Sequence, residues 1–157
     1  MRNAAIIGAG LIGRAWANVF ARAGWNVRVW DPDAGQREAA ARLVAESLHE
    51  LAAHGLVSDP AAAAKRVTVV GTLEEAVAGA EYVQESGPEV LDVKRATFER
   101  LDRAAPAGAI LASSTSAIVA SKFTESLAGR ALHRRAPREP APPRAGGRAV
   151  RRAVDLG

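Results

Sequence analysis

Three stretches hold residues whose types and spacing could do chemistry. Gly8-Ala9-Gly10-Leu11-Ile12-Gly13 reads G-x-G-x-x-G. Between a strand and a helix, such a turn can receive a diphosphate. The first glycine permits a tight bend, the second lets backbone approach the ligand, and the third lets helix and strand pack closely. The first amides of the helix, from Leu11 and Ile12 onward, would meet the anion at the positive end of the helix dipole. Asp31 follows Gly13 by eighteen residues and ends the next apolar run. A carboxylate there accepts hydrogen bonds from adenosine ribose hydroxyls and repels a 2′-phosphate. NAD is therefore expected over NADP, although FAD proteins use a similar turn. The bland alternatives are a purely structural glycine turn and, for Asp31-Pro32-Asp33, a helix cap. The third stretch pairs VQES (residues 83–86) with SSTS (residues 113–116). Glu85 and Ser116 would bring a carboxylate and a hydroxyl to the ends of two strands.

The elements that must position these groups follow from periodicity. Apolar strands are expected at Ala4–Ile7, Asn26–Trp30, Val67–Val70, Glu81–Gln84 and Ala109–Ala112. Helical spacing covers residues 11–23, 34–54, 59–65, 73–78, 89–104 and 118–127, with Gly24 and Gly55 as stops. Strands alternating with helices imply parallel pairing through right-handed crossovers, hence a doubly wound α/β sheet. Trp16, Trp25 and Trp30 fall on apolar faces and are expected in the core.

Composition narrows the class. At 157 residues and 48% hydrophobic, the chain can build one cored domain. No apolar run reaches the roughly eighteen residues of a membrane span, and no secretory leader is recognisable. The absence of cysteine removes disulfide and thiolate chemistry and suits the cytoplasm. The net charge of +4 divides unevenly. Residues 130–157 hold eight arginines against two acids, so residues 1–129 carry a net −2. The domain itself thus lacks the basic surface that nucleic-acid binding needs, and none is expected. His49 and His54 lie five apart, poor spacing for a shared metal site; no metal is expected.

EYVQESGPEVLDVKRATFERLD, followed by ILASSTSAIVASKFTESLAG, resembles the 3-hydroxyacyl-CoA dehydrogenase superfamily. The likeness is to its lambda-crystallin and L-gulonate 3-dehydrogenase branch, and with the glycine turn it runs over residues 3–129. It implies a Rossmann-type doubly wound parallel sheet, NAD as cofactor, and oxidation of the 3-hydroxy group of a 3-hydroxy acid or 3-hydroxyacyl-CoA to the 3-keto product. It also implies that Glu85 contacts the nicotinamide side and that Ser116 hydrogen-bonds the substrate oxygen. Ala117 and Val119 replace the family's glycine and proline, and Val90 a more polar residue, which puts the local loop geometry in question.

The same resemblance calls for a histidine in an H-P-x-N-P motif about twenty-one residues after the serine, with a supporting glutamate, a C-terminal helical domain and a homodimer. Pro137 stands at that distance instead, within an Arg/Pro-rich segment where no strand can form. Read one base later, the codons from His133 onward can spell IVAHPVNPPH and then LVPVVELCGAPWTS, the missing strand, histidine, asparagine and glutamate in order. The expectation is a domain at 1–129 whose sheet is incomplete at its C-terminal strands, followed by an out-of-frame tail at 130–157. Such a chain would bind NAD weakly at most and show no useful turnover, and the family's dimer is in question for it; the bases of the gene around Arg130 decide the frame. The rivals are a stand-alone NAD-binding regulatory module and a basic tail that binds nucleic acid. The latter lacks interleaved aromatics, since none follows Phe123.

Overall fold

A computed structural model describes residues 2–125 and residue 127. The expectations for residues 130–157, a disordered and out-of-frame tail, lie outside the described residues. β1 (Asn3–Ile7), β2 (Asn26–Trp30), β3 (Val67–Val69), β4 (Tyr82–Glu85) and β5 (Ile110–Ser113) form one sheet in the order β3-β2-β1-β4-β5. Every pairing is parallel.

The chain steps outward from β1 to β3, crosses back, and steps outward again through β4 and β5. That reversal makes the carboxyl edge between β1 and β4 a topological switch point, where neighbouring loops part and leave a crevice. On one face lie α1 (Leu11–Arg22), α2 (Ala34–Ala53) and α3 (Pro60–Ala64), packed on Ile6, Val27 and Val29. On the other lie α4 (Leu73–Val77), α5 (Leu91–Ala104) and α6 (Ser121–Thr124), packed on Ala5, Ile7, Val83 and Leu111. Both faces of the central strands are buried, which explains their near-continuous apolar sequence.

Alternate residues of each strand serve opposite faces. On β4, Val83 and Glu85 turn toward α5, while Tyr82 and Gln84 turn toward α1. On β5, Leu111 and Ser113 face α5, and Ala112 faces α1. Two of the four β4 side chains are therefore buried polar groups, Gln84 and Glu85, at 1% and 2% exposure. A buried polar group requires partners, and these two have them.

The observed elements differ from the sequence reading at two instructive places. β4 and β5 each run one residue further, because the ladder begins at Ile110 N–H to Glu81 O and Ala109 N–H is committed to Pro106 O. The shift brings Ser113 into register opposite Glu85. The last helix starts at Ser121 rather than Ile118. Thr115 Oγ1 accepts from Ile118 N–H, a local side-chain turn that competes with helix there.

Candidate functional site

Strand register lines the site up. Trp30, Ile7, Glu85 and Ser113 are successive partners across the sheet. Their followers, Asp31, Gly8, Ser86 and Ser114, therefore stand side by side along its carboxyl edge. Gly8 N–H to Trp30 O, Ser86 N–H to Ile7 O and Ser114 N–H to Glu85 O continue the ladder into the loops.

The fold asks different things of the three glycines of the turn. Gly8 adopts φ +106°, and a Cβ there would lie 2.7 Å from Ser86 O. A Cβ on Gly13 would overlap the carbonyl oxygen of Gly8, so α1 could not close on β1. Gly10 is the exception. Its φ of −65° and ψ of −174° suit any residue, and nothing in the protein lies within 4 Å of its would-be Cβ. The fold itself does not need glycine at position 10.

Gly10 also caps α1 without a side chain, and no acid sits in the first turn. By contrast α2, α3 and α4 are capped by Asp33, Asp59 and a Thr72–Glu75 capping box. Leu11 and Ile12, which open α1, are 75% and 52% exposed, and the first amides of a helix have no partner within it. Asp31 Oδ2 accepts from Ala9 N–H at 2.7 Å and Oδ1 from Asp33 N–H at 2.9 Å. The acid is thereby tied to the glycine turn. Arg37 donates to Asp31 O, and Arg14 to Ala9 O, so two guanidinium groups brace the same corner.

Glu85 is buried at 2% exposure and held by four hydrogen bonds. Lys94 Nζ lies 3.1 and 2.9 Å from its two oxygens, Gly87 N–H donates at 2.7 Å, and Ser113 Oγ–H at 2.5 Å. The structure thus sets the carboxylate under the loop after β4, on the α5 face, with its oxygens engaged by the protein. Lys94, 1% exposed, is a participant that sequence reasoning did not single out. A signal was available: Lys94 shares the inward stripe of α5 with Phe98 and Leu101, at i, i+4 and i+7.

Ser116 lies exposed on the loop after β5. Its N–H and Oγ reach Glu89 Oε1 at 2.7 and 3.3 Å, and Thr115 Oγ1 donates to Glu89 Oε2 at 2.7 Å. Glu89, the acid of the Pro88-Glu89 pair, is another participant missed by sequence reasoning; it clips the loop that carries Ser116. The Thr115 hydroxyl first, and then the Ser116 amide, hold its carboxyl below the usual carboxylate range. The loop contact is thus present above the ordinary glutamate value and is lost as pH falls through the lowered one. The Ser116 amide resonance is expected to titrate with a midpoint below that of exposed glutamates in the same NMR series; a midpoint among them would remove the clip.

On the α1 face, Ser114 Oγ gathers Trp16 Nε1 at 3.2 Å, Gln84 Nε2 at 2.8 Å and Ser86 Oγ at 3.1 Å. Trp16 is only partly buried and joins the site rather than serving packing alone. His49 sits exposed on α2 with Nδ1 against Ala45 O, and His54 caps that helix. Neither is brought to the carboxyl edge. Among the described residues no three His, Cys, Asp or Glu side chains gather as a metal site, and no helix is long and apolar enough to cross a membrane.

The family described as "3-hydroxyacyl-CoA dehydrogenase, NAD binding domain" matches residues 3–133. The chain belongs to it. Among curated relatives, an L-carnitine dehydrogenase of Streptomyces griseus is 47% identical over 116 residues, covering 74% of this chain and 34% of that protein. A lambda-crystallin homolog of Mus musculus is 36% identical, covering 78% and 40%. A 3-hydroxybutyryl-CoA dehydrogenase of Escherichia coli superposes with a TM-score of 0.74 at 26% identity, over 83% of this chain and 28% of that one. The 3-hydroxyacyl-CoA dehydrogenase domain described here thus spans about a quarter to two fifths of the curated relatives it matches. Its cofactor is NAD, and its sheet is the Rossmann-type arrangement expected from the strand order.

Proposed function

We propose that this domain holds NAD along the carboxyl edge of its sheet and presents it to the 3-hydroxy group of a small hydroxy acid or its CoA thioester, for oxidation to the 3-keto product. The observation that carries the reading is the open space at Gly10, a glycine the fold does not itself require. The diphosphate would lie over Gly10 against the Leu11, Ile12 and Gly13 amides, with the adenosine ribose on Asp31. When bound, the cofactor supplies a hydride acceptor. Ser116 would orient the substrate oxygen from its clipped loop, and Glu85 would shape the nicotinamide side from beneath.

The free hydroxy acid is favoured over the thioester, because a relative at 47% identity is named for L-carnitine, itself a 3-hydroxy acid. The described residues bring no histidine to the carboxyl edge, so this part of the enzyme would bind and orient rather than take the proton. Cytoplasmic placement is proposed on the cysteine-free composition. A homodimer, as the resemblance implies for the intact enzyme, is left to segments outside the described domain.

Titration with NADH and NADPH tests the cofactor corner. The parent is expected to prefer NADH, and Asp31→Asn to lose roughly tenfold or more of that affinity while closing the gap to NADPH, since a hydrogen bond to a charged group is at stake. Equal affinity of the parent for both cofactors would refute Asp31's assignment.

A further inference from the structure

The hydroxyl cluster beside the glycine turn has a direction, and the direction has a consequence for the cofactor. Trp16 Nε1–H can only donate, and it points at Ser114 Oγ. Gln84 Nε2 is fixed as the donor end of its amide, because it also lies 3.2 Å from the carbonyl oxygen of Glu85, while Tyr82 O–H donates to Gln84 Oε1. Ser114 Oγ therefore receives two obligate donors, one for each of its lone pairs. Its own proton must go elsewhere, and the acceptor within reach is Ser86 Oγ at 3.1 Å. Ser86 cannot donate back to an oxygen whose lone pairs are both taken. Among the described residues Ser86 Oγ has no other hydrogen-bond partner, so its proton is left without an acceptor in the protein.

Ser86 is half-buried at the carboxyl end of β4, one step past Glu85. Its backbone oxygen is the atom that a side chain on Gly8 would strike. The serine thus adjoins the glycine turn on the side away from Asp31, where the nicotinamide nucleoside would lie on the reading given above. We propose that Ser86 is a cofactor-binding residue, a hydrogen-bond donor aligned by Trp16, Gln84 and Ser114 toward an acceptor oxygen on the nicotinamide nucleoside half of NAD. That half offers two acceptors of the same chemistry, the carboxamide carbonyl and the ribose hydroxyls. The inference rests on NAD occupying this edge.

The test uses the full chain and three ligands: NAD, ADP-ribose and ADP. Ser86→Ala is expected to weaken NAD about fivefold, the effect of one net hydrogen bond, and to leave ADP unchanged. If ADP-ribose is unaffected, the acceptor is the carboxamide; if ADP-ribose weakens alongside NAD, it is the ribose. Ser86→Thr, which keeps the hydroxyl, is expected to restore most of the loss. Retained ADP affinity shows that each variant has folded its site. Equal affinity of Ser86→Ala and the parent for NAD overturns the assignment, as does an equal loss for all three ligands. Should the parent bind none of them, the NAD reading itself falls and takes the inference with it, whereas a Ser86 failure alone leaves that reading standing.

Discussion

Gly10→Val is expected to fold like the parent and to lose NADH affinity by a hundredfold or more. A Cβ at this position meets no protein atom within 4 Å, and valine tolerates the backbone angles found at Gly10. The thermodynamic cost to the fold should not exceed about 1 kcal/mol, the difference between glycine and a poor helix N-cap. The diphosphate, by contrast, loses its approach to the first-turn amides. Each such charge-assisted hydrogen bond contributes about 1.5–3 kcal/mol, so losing two accounts for the hundredfold. Gly13→Ala makes the contrast. Its added methyl overlaps the Gly8 carbonyl, so it should lose binding because α1 no longer seats on β1. Isothermal calorimetry beside thermal melting separates the two: one variant keeps its melting temperature, the other does not. A Gly10→Val protein that binds NADH as the parent does would refute the placement of the cofactor.

Lys94→Met is expected to cost about 3–5 kcal/mol of folding stability, because it strands a buried carboxylate without its counter-charge. Both partners of the pair are almost fully enclosed, and Lys94 Nζ contacts both oxygens of Glu85. For a domain whose whole stability is about 5–15 kcal/mol, that is a large share. The double variant Glu85→Gln with Lys94→Met should recover most of it. The amide oxygen still accepts from Gly87 N–H, and no net charge is left in the interior. Urea unfolding reads the result as a shift in midpoint at unchanged slope. A single Lys94→Met variant as stable as the parent would mean that Glu85 finds other support or sits closer to solvent than described.

The pair also explains why a carboxylate ends a central strand. Glu85 bonds Gly87 N–H and Ser113 Oγ, and so joins the turn after β4 to the end of β5. On the opposite face, Gln84 and Ser114 join the same two strands to Trp16 of α1. Two polar networks back to back thus stiffen the edge where the nicotinamide would rest. Catalytic geometry depends on such support, since a reacting group displaced by about an ångström loses much of its rate.

Much of this was already readable from local pattern. Strand and helix alternation, the three glycines, and Asp31 at its set distance follow from periodicity and short spacing. Each of those signals lies within a few dozen residues of chain and reflects backbone needs that every copy of the motif shares. The resemblance carried by VQES and SSTS added the family, and residues 3–133 bear it out. Lys94, Glu89, Ser114 and Trp16 were present in the sequence, yet their roles were not. Those roles depend on which residue of β4 stands opposite which residue of β5, and on which face each side chain then takes. A slip of one position in that register would carry Ser113 away from Glu85 and Ser114 away from Gln84. Register is set by the packing of α1 and α5 against the two faces of the sheet, an interaction between segments up to a hundred residues apart. Hydrogen bonds near 3 Å are decided only once that packing exists, so the supporting shell of the site belongs to the tertiary structure alone.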